Sequence, residues 1–296
     1  MEAYGPMVLL GIVAGVVGRI TMLEIDYRQY PSYPHGFVIH LSLGIIASFL
    51  GAIVVPALLE KEYTAVTFLV LAAQQFREIR NMERETLAKL DQTELVPRGP
   101  DFVEGIARVF EARNYLVIFA SVASSGGYYW GGIWVGILCG VLAIGLGNVA
   151  MQGRTVGSLA RVRIGKLHFV GPLLHVDNII IMNVGLIEAQ KKILERGIGV
   201  IIEPLDDNAR ATLANTGQRQ AIAHEVSALL GIHKDVAEPE FTPLLRLDLD
   251  TGRVGFFIVP IERDAELVLE AVRRVPVLES AIRRPLATRI GRRAAD

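Results

Sequence analysis

The sequence predicts an α-helical multi-pass membrane region of about five spans, followed by an α+β cytoplasmic domain in a ferredoxin-like arrangement. Three observations carry this. Of 296 residues, 51% are hydrophobic and 21% charged, and the mean hydropathy of +0.39 is high for a soluble chain. Apolar runs of bilayer-crossing length occur before residue 153. Beyond Thr155 the pattern changes to short strands and capped helices.

The first expected span is Pro6 to Met22, with Gly11 and Gly15 as a small-residue face for a neighbouring helix. No Lys or Arg precedes it, so it reads as a retained span and not a signal peptide. A polar loop from Glu24 to His35 carries three tyrosines at an interface-like position. The second span is Gly36 to Leu59. Segment three, Thr64 to Ala73, is short, and spans only if its flanks lie in the headgroup layers. A charged helix, FREIRNMERETLAKLD, follows and is broken by Val96-Pro97-Arg98-Gly99-Pro100. Segments four and five, Tyr115 to Tyr129 and Gly131 to Met151, form a hairpin around Ser124-Ser125-Gly126-Gly127. Tyr128, Tyr129, Trp130 and Trp134 make an aromatic belt there, and Gly132, Gly136 and Gly140 a smooth helix face.

Arg77, Arg80, Arg84, Lys89, Arg98, Arg108 and Arg113 mark the central loop 77–114 as cytoplasmic. Five spans with the N-terminus outside also put Arg19 and Arg28 inside; four spans would leave both outside. The domains expected are thus 1–153 in the membrane, 154–183 as a β-rich connector, 184–282 as the α+β domain, and 283–296 as a basic, disordered tail.

In the soluble part, strands are expected at 160–168 and 177–183 around Gly171-Pro172, then at 198–203, 244–248, 254–259 and 275–279. Helices are expected at 185–196, 219–230 and 264–273. This βαββαβ order is a common superfold and specifies no function.

The search for chemistry returns little. His224-Glu225 begins like HExxH, but Ala228 stands where the second ligand belongs. Gly197-Ile198-Gly199 lacks the third glycine of a dinucleotide loop, and there is no phosphate-binding GxxxxGK[ST]. Cys139 is the single cysteine, excluding an intrachain disulfide and a cysteine-built metal site. No cofactor or metal is expected. The span interiors read as nearly free of ionisable residues, with His40 and Asn148 near segment ends, which disfavours a proton-coupled transporter.

The stretch DFVEGIARVFEARNY has a sufficient structural account. Asp101 reads as an N-cap and Glu104 as its capping-box partner. Phe102, Val103, Ile106, Val109 and Phe110 form one apolar face, suited to a partner or a membrane surface, while Gly105 costs helix stability.

Phe102-Val103-Glu104-Gly105-Ile106-Ala107 also resembles the motif that names the YIEGIA family. Gly147 and Asn148, within Leu146-Gly147-Asn148, resemble that family's FGN motif with leucine for phenylalanine. The resemblance implies a membrane protein of endospore-forming bacteria with a sporulation-associated setting, and no catalytic residue. The function expected is a multi-pass cell-membrane protein with a cytoplasmic regulatory or docking role. The alternative is a membrane-embedded hydrolase or protease component using Glu104, Ser125 or His40; a small-solute transporter stands third. The partners expected are the lipid bilayer, a protein on the cytoplasmic side and, as an open alternative, a second copy of the chain; no nucleic acid is expected.

Overall fold

The structure is a computed structural model that describes residues 4–29 and 34–294. The chain divides into two compact units, Met1–Glu85 with Ile106–Gln152, and Thr86–Gly105 with Gly153–Asp296.

The first unit is helical. It contains α1 (Gly5–Gln29), α2 (Pro34–Leu59), most of α3 (Tyr63–Asp91) and most of α4 (Pro100–Ala150). The expected loop 24–35 is helical up to Gln29, and residues 30–33 lie outside the described ones. Helix α1 runs antiparallel to α2, since Gly11 lies beside Ala52 and Gly15 beside Ser48. Helix α3 lies against α2 and α4 through Phe76, which packs with Ala47 and Val117.

Helix α4 folds back on itself. Gly132 has φ 75° and ψ −167°, a backbone that only glycine adopts without strain. Past it, Gly136 and Gly140 return beside Ser124, and Gly147 beside Leu116. The hairpin is as expected but its turn is not. Ser124 to Gly127 are helical and sit inside the first limb, because helix continuation satisfies their backbone groups within an apolar setting.

Among the described residues three helices are long and apolar enough to cross a membrane, Gly5–Leu23, Phe37–Leu59 and Pro100–Ala150. The expected count of five is not reached on that measure. Segment 64–73 is only the first half of α3, whose second half is charged, and segments four and five are the two limbs of the hairpin at Gly132, which count together as one of the three.

The second unit is α+β. Its main sheet has the order β1-β5-β7-β6, from β1 (Ala160–Gly165), β5 (Ile198–Pro204), β7 (Val254–Ile258) and β6 (Leu244–Leu247). A smaller sheet is a meander of β2 (Leu167–Val170), β3 (Leu173–Val176) and β4 (Ile179–Asn183). Every pairing is antiparallel. The ferredoxin-like expectation therefore fails. Residues 154–183 are no connector: they supply an edge strand of the main sheet and the whole of the small one.

β5 and β7 are apolar at nearly every position because both faces of the main sheet are covered. On one face, Val200, Ile202, Val254 and Phe256 pack with residues of α8 (Thr216–Leu230) and α9 (Ala265–Arg274). On the other, Ile201 and Phe257 pack with Leu174, Val176 and Ile181 of the small sheet and Ile193 of α6 (Ile187–Arg196).

Two short helices went unanticipated: α5 (Val156–Leu159) and α7 (Asp207–Leu213). α7 starts where Asp206 accepts a hydrogen bond from the Ala209 N–H at 2.7 Å. The expected strand 275–279 is a single bridge, Thr155 to Pro276, followed by a 3-10 turn at Glu279–Ala281. The basic end is ordered as a 3-10 turn, Pro285–Ala287, and α10 (Arg289–Ala294).

Candidate functional site

The motif helix does not start at an Asp101 cap. Pro100 is its first residue, where a missing N–H costs nothing, and the Gly99 carbonyl accepts from the amides of Phe102 and Val103. The turn before it is fixed by Asp91. One carboxylate oxygen accepts from the Arg98 amide at 2.6 Å and the other from the Gly99 amide at 3.0 Å.

Within the α+β unit this segment is clasped to α8. His224 is buried; its Nδ1 lies 2.6 Å from the Val96 carbonyl, and its Nε2 accepts from Arg98 Nε at 3.2 Å. A carbonyl opposite Nδ1 and an arginine donor opposite Nε2 match a ring that donates from Nδ1 and accepts at Nε2. Gln220 donates to the Pro97 carbonyl, and Lys234 to that of Leu95 at 3.1 Å. Phe102 stands edge-on to the His224 ring, with centroids 6.2 Å apart. A Cβ at Gly217 would come within 2.7 Å of the Asp101 side chain, so glycine is what lets Asp101 rest on the first turn of α8. The histidine of the failed zinc motif is therefore a structural anchor.

Phe102, Val103, Ile106, Ala107 and Phe110 are buried by the protein's own residues, and Glu104 and Gly105 are half-buried. The apolar face proposed for a partner is thus already covered. Gly147 is buried against Leu116, whereas Asn148 is exposed at the end of α4.

The helical unit holds what hydropathy concealed. Arg19, His40, Arg113 and Asn114 are all buried, which corrects the expectation of span interiors nearly free of ionisable groups. Arg19 donates from Nη2 to His40 Nδ1 at 3.0 Å and from Nε to the His40 carbonyl at 3.3 Å. Its stem lies where a side chain at Gly44 would be: a Cβ there would meet Arg19 Cβ at 2.9 Å. The His40 ring meets Phe110 edge-on at 5.1 Å. Asn114 donates to the Phe110 carbonyl at 3.2 Å, and Arg80 pairs with Glu111 at 3.1 Å. Burial raises the Glu83 carboxyl above its usual range, partly offset by His40. A lone arginine near the end of an apolar run reads as an orientation marker. The signal that distinguishes it is a glycine and a histidine on the neighbouring span.

Ser125 and His40 are not brought together. Along α1, Gly11 meets Ser125 whereas Arg19 meets His40, roughly 12 Å apart at 1.5 Å per residue. Ser125 donates instead to the Met7 carbonyl at 3.3 Å. Among the described residues no group of three or more His, Cys, Asp or Glu is placed to hold a metal.

In the small sheet, His168 and His175 face each other across β2 and β3 with stacked rings 5.0 Å apart, and Ile180 continues the row on β4. Nearby, Arg163 bridges Asp177 at 2.8 Å and Glu203 at 3.1 Å. Burial alone would raise the Asp177 carboxyl, but the Lys166 amide and the Arg163 guanidinium outweigh it and hold it below its usual range.

Comparison with known proteins supplies the identity that the geometry leaves open. The profile of the family described as YIEGIA protein matches residues 7–288. A Bacillus subtilis (strain 168) protein named "Uncharacterized protein YphB" is 47% identical over 285 residues, covering 96% of each chain. No solved structure matches. The chain belongs to the YIEGIA family.

Proposed function

We propose that this is an integral membrane protein whose α+β domain lies in the cytoplasm and docks a protein partner, in the sporulation setting that the family resemblance implies. The observation that carries the docking role is the open face of the small sheet. Leu174 and Val176 turn inward, so His168, His175 and Ile180 line the opposite face together with Val170. Ile180 and Val170 are both more than half exposed, at 51% and 58%, and exposed apolar groups gathered on one face mark interaction surfaces. A photo-crosslinking residue at Ile180 of the full-length protein, in sporulating cells, should give one discrete adduct that Val170→Asp abolishes. A ladder of adducts indifferent to Val170→Asp would sink this reading.

The finer topology is five crossings with the N-terminus outside. Its support is that α3 packs along α2 and α4 through Phe76, while Tyr63, Phe68, Val70 and Leu71 point outward from the bundle. Impermeant thiol reagents should label Trp130→Cys and Glu62→Cys on intact cells, in a Cys139→Ser background, and Thr93→Cys only after lysis. Labelling of Glu62→Cys only after lysis contradicts it.

A second reading, a path for a small solute, is favoured by the buried Arg19–His40–Arg113 cluster, since such groups in a span are a usual mark of transport. It is preferred if Arg19→Gln abolishes function while membrane levels and the Ile180 adduct are unchanged.

A further inference from the structure

The strongest unassigned charge in the molecule is at its C-terminal end. Residues 280–294 contain Arg283, Arg284, Arg289, Arg292 and Arg293 and no Asp or Glu, in a chain whose net charge is −1. All five arginines are exposed. Elsewhere in the same unit several arginines have acidic partners, Arg163 with Asp177, Arg253 with Glu203 and Arg274 with Glu270, while Arg219 and Arg246 donate to backbone carbonyls. Among the described residues no carboxylate pairs with any of the five terminal ones.

These charges are not on a loose tail. The Arg283 amide reaches Thr212 Oγ1 at 3.4 Å, and the Leu286 amide donates to Asn208 Oδ1 at 3.1 Å, so the segment is rooted on α7. Thr288 Oγ1 then accepts from the Gly291 amide at 3.0 Å and starts α10. Arg289, Arg292 and Arg293 stand at i, i+3 and i+4, which puts them on one side of the helix. Ile290 beside them is 81% exposed.

We infer that this element is a docking surface for an anionic phospholipid bilayer, an inference that rests on the membrane reading above. Guanidinium groups bind phosphate oxygens bidentately. Basic residues near a charged leaflet gain affinity per charge, and an apolar neighbour adds insertion at the acyl boundary. A domain tethered to a membrane meets that surface at high effective concentration, so modest affinity suffices. Clustering without acidic partners is what this partner selects; a merely solvated surface intersperses both signs.

The test uses the full-length protein with Cys139→Ser and Ala294→Cys, labelled with an environment-sensitive fluorophore and reconstituted into vesicles. A blue-shifted signal is expected with phosphatidylglycerol and not with phosphatidylcholine alone, reversed by high salt. Arg284→Gln, Arg289→Gln, Arg292→Gln and Arg293→Gln should each weaken it roughly five-fold. Equal signals in both vesicle types, insensitivity to the four substitutions, or a stronger response to added single-stranded RNA than to anionic lipid overturns the inference. Carbonate extraction of the vesicles is a separate check: loss of the protein from the membrane fraction rejects the membrane reading itself.

Discussion

The helical unit and the α+β domain bury opposite things. In the domain the interior is Val200, Phe256, Phe257 and Ile258, and its few buried polar groups reach backbone atoms. In the helical unit Leu9, Val13, Phe68, Trp130 and Leu138 face outward, while Arg19, His40, Arg113 and a row of serines lie within. The difference is the one that a lipid-facing and a water-facing unit would show, as the membrane reading proposes. Lipid leaves cohesion to close packing through small residues and gives buried polar groups no reason to avoid the interior, whereas water drives apolar residues inward.

The comparison can be broken most sharply in the domain's core. Phe256 and Phe257 occupy opposite faces of β7 and are both fully buried. Replacing either with Ala should cost about 3–5 kcal/mol, read as loss of hydrogen-exchange protection across both sheets. If only one face loosens, the two cores are energetically separate and the three-layer account fails.

Buried polar groups sharpen the contrast. Gln218 donates to the Pro276 carbonyl at 3.1 Å and accepts from the Leu278 amide at 2.7 Å. Gln218→Leu would leave both groups unsatisfied and should destabilise the domain by about 1–3 kcal/mol, measured by thermal melting. Ser124 in the helical unit is equally buried, yet its hydroxyl has no hydrogen-bond partner among the described residues. Ser124→Ala should therefore change stability in detergent by no more than about 0.5 kcal/mol. A cost as large as that of Gln218→Leu would mean that the serines carry polar contacts of their own.

Much of the architecture was legible in sequence. The apolar runs located α1, α2 and the α4 hairpin, and Gly171-Pro172 located a turn. The helix expected at 264–273 is α9, shifted by one residue because Asp264 is its cap and accepts from the Glu266 and Leu267 amides. What was missed has specific causes. The turn at Gly132 lost to Ser124-Ser125-Gly126-Gly127 because four small residues in a row signal a break more loudly than the Gly131-Gly132 pair beside Trp130, although helix packing in lipid also recruits glycine. The three-layer domain was signalled by β5 and β7, which do not alternate and so must be covered on both faces. α7 is too short and polar to carry a periodicity. Arg19 was invisible as a site because its partners, Gly44 and His40, lie on another helix.

The clasp between the motif segment and α8 has a consequence for the order of synthesis. Val96 and His224 are 128 residues apart, so at 5–20 residues per second the ribosome needs roughly 6–26 s to supply the second after the first. Throughout that interval the start of α4, with Phe102 and Val103, has been made while its cradle does not yet exist. A chain that stops before Thr216 keeps α1, α2 and α4 whole and yet leaves the motif segment without the surface on which it comes to rest.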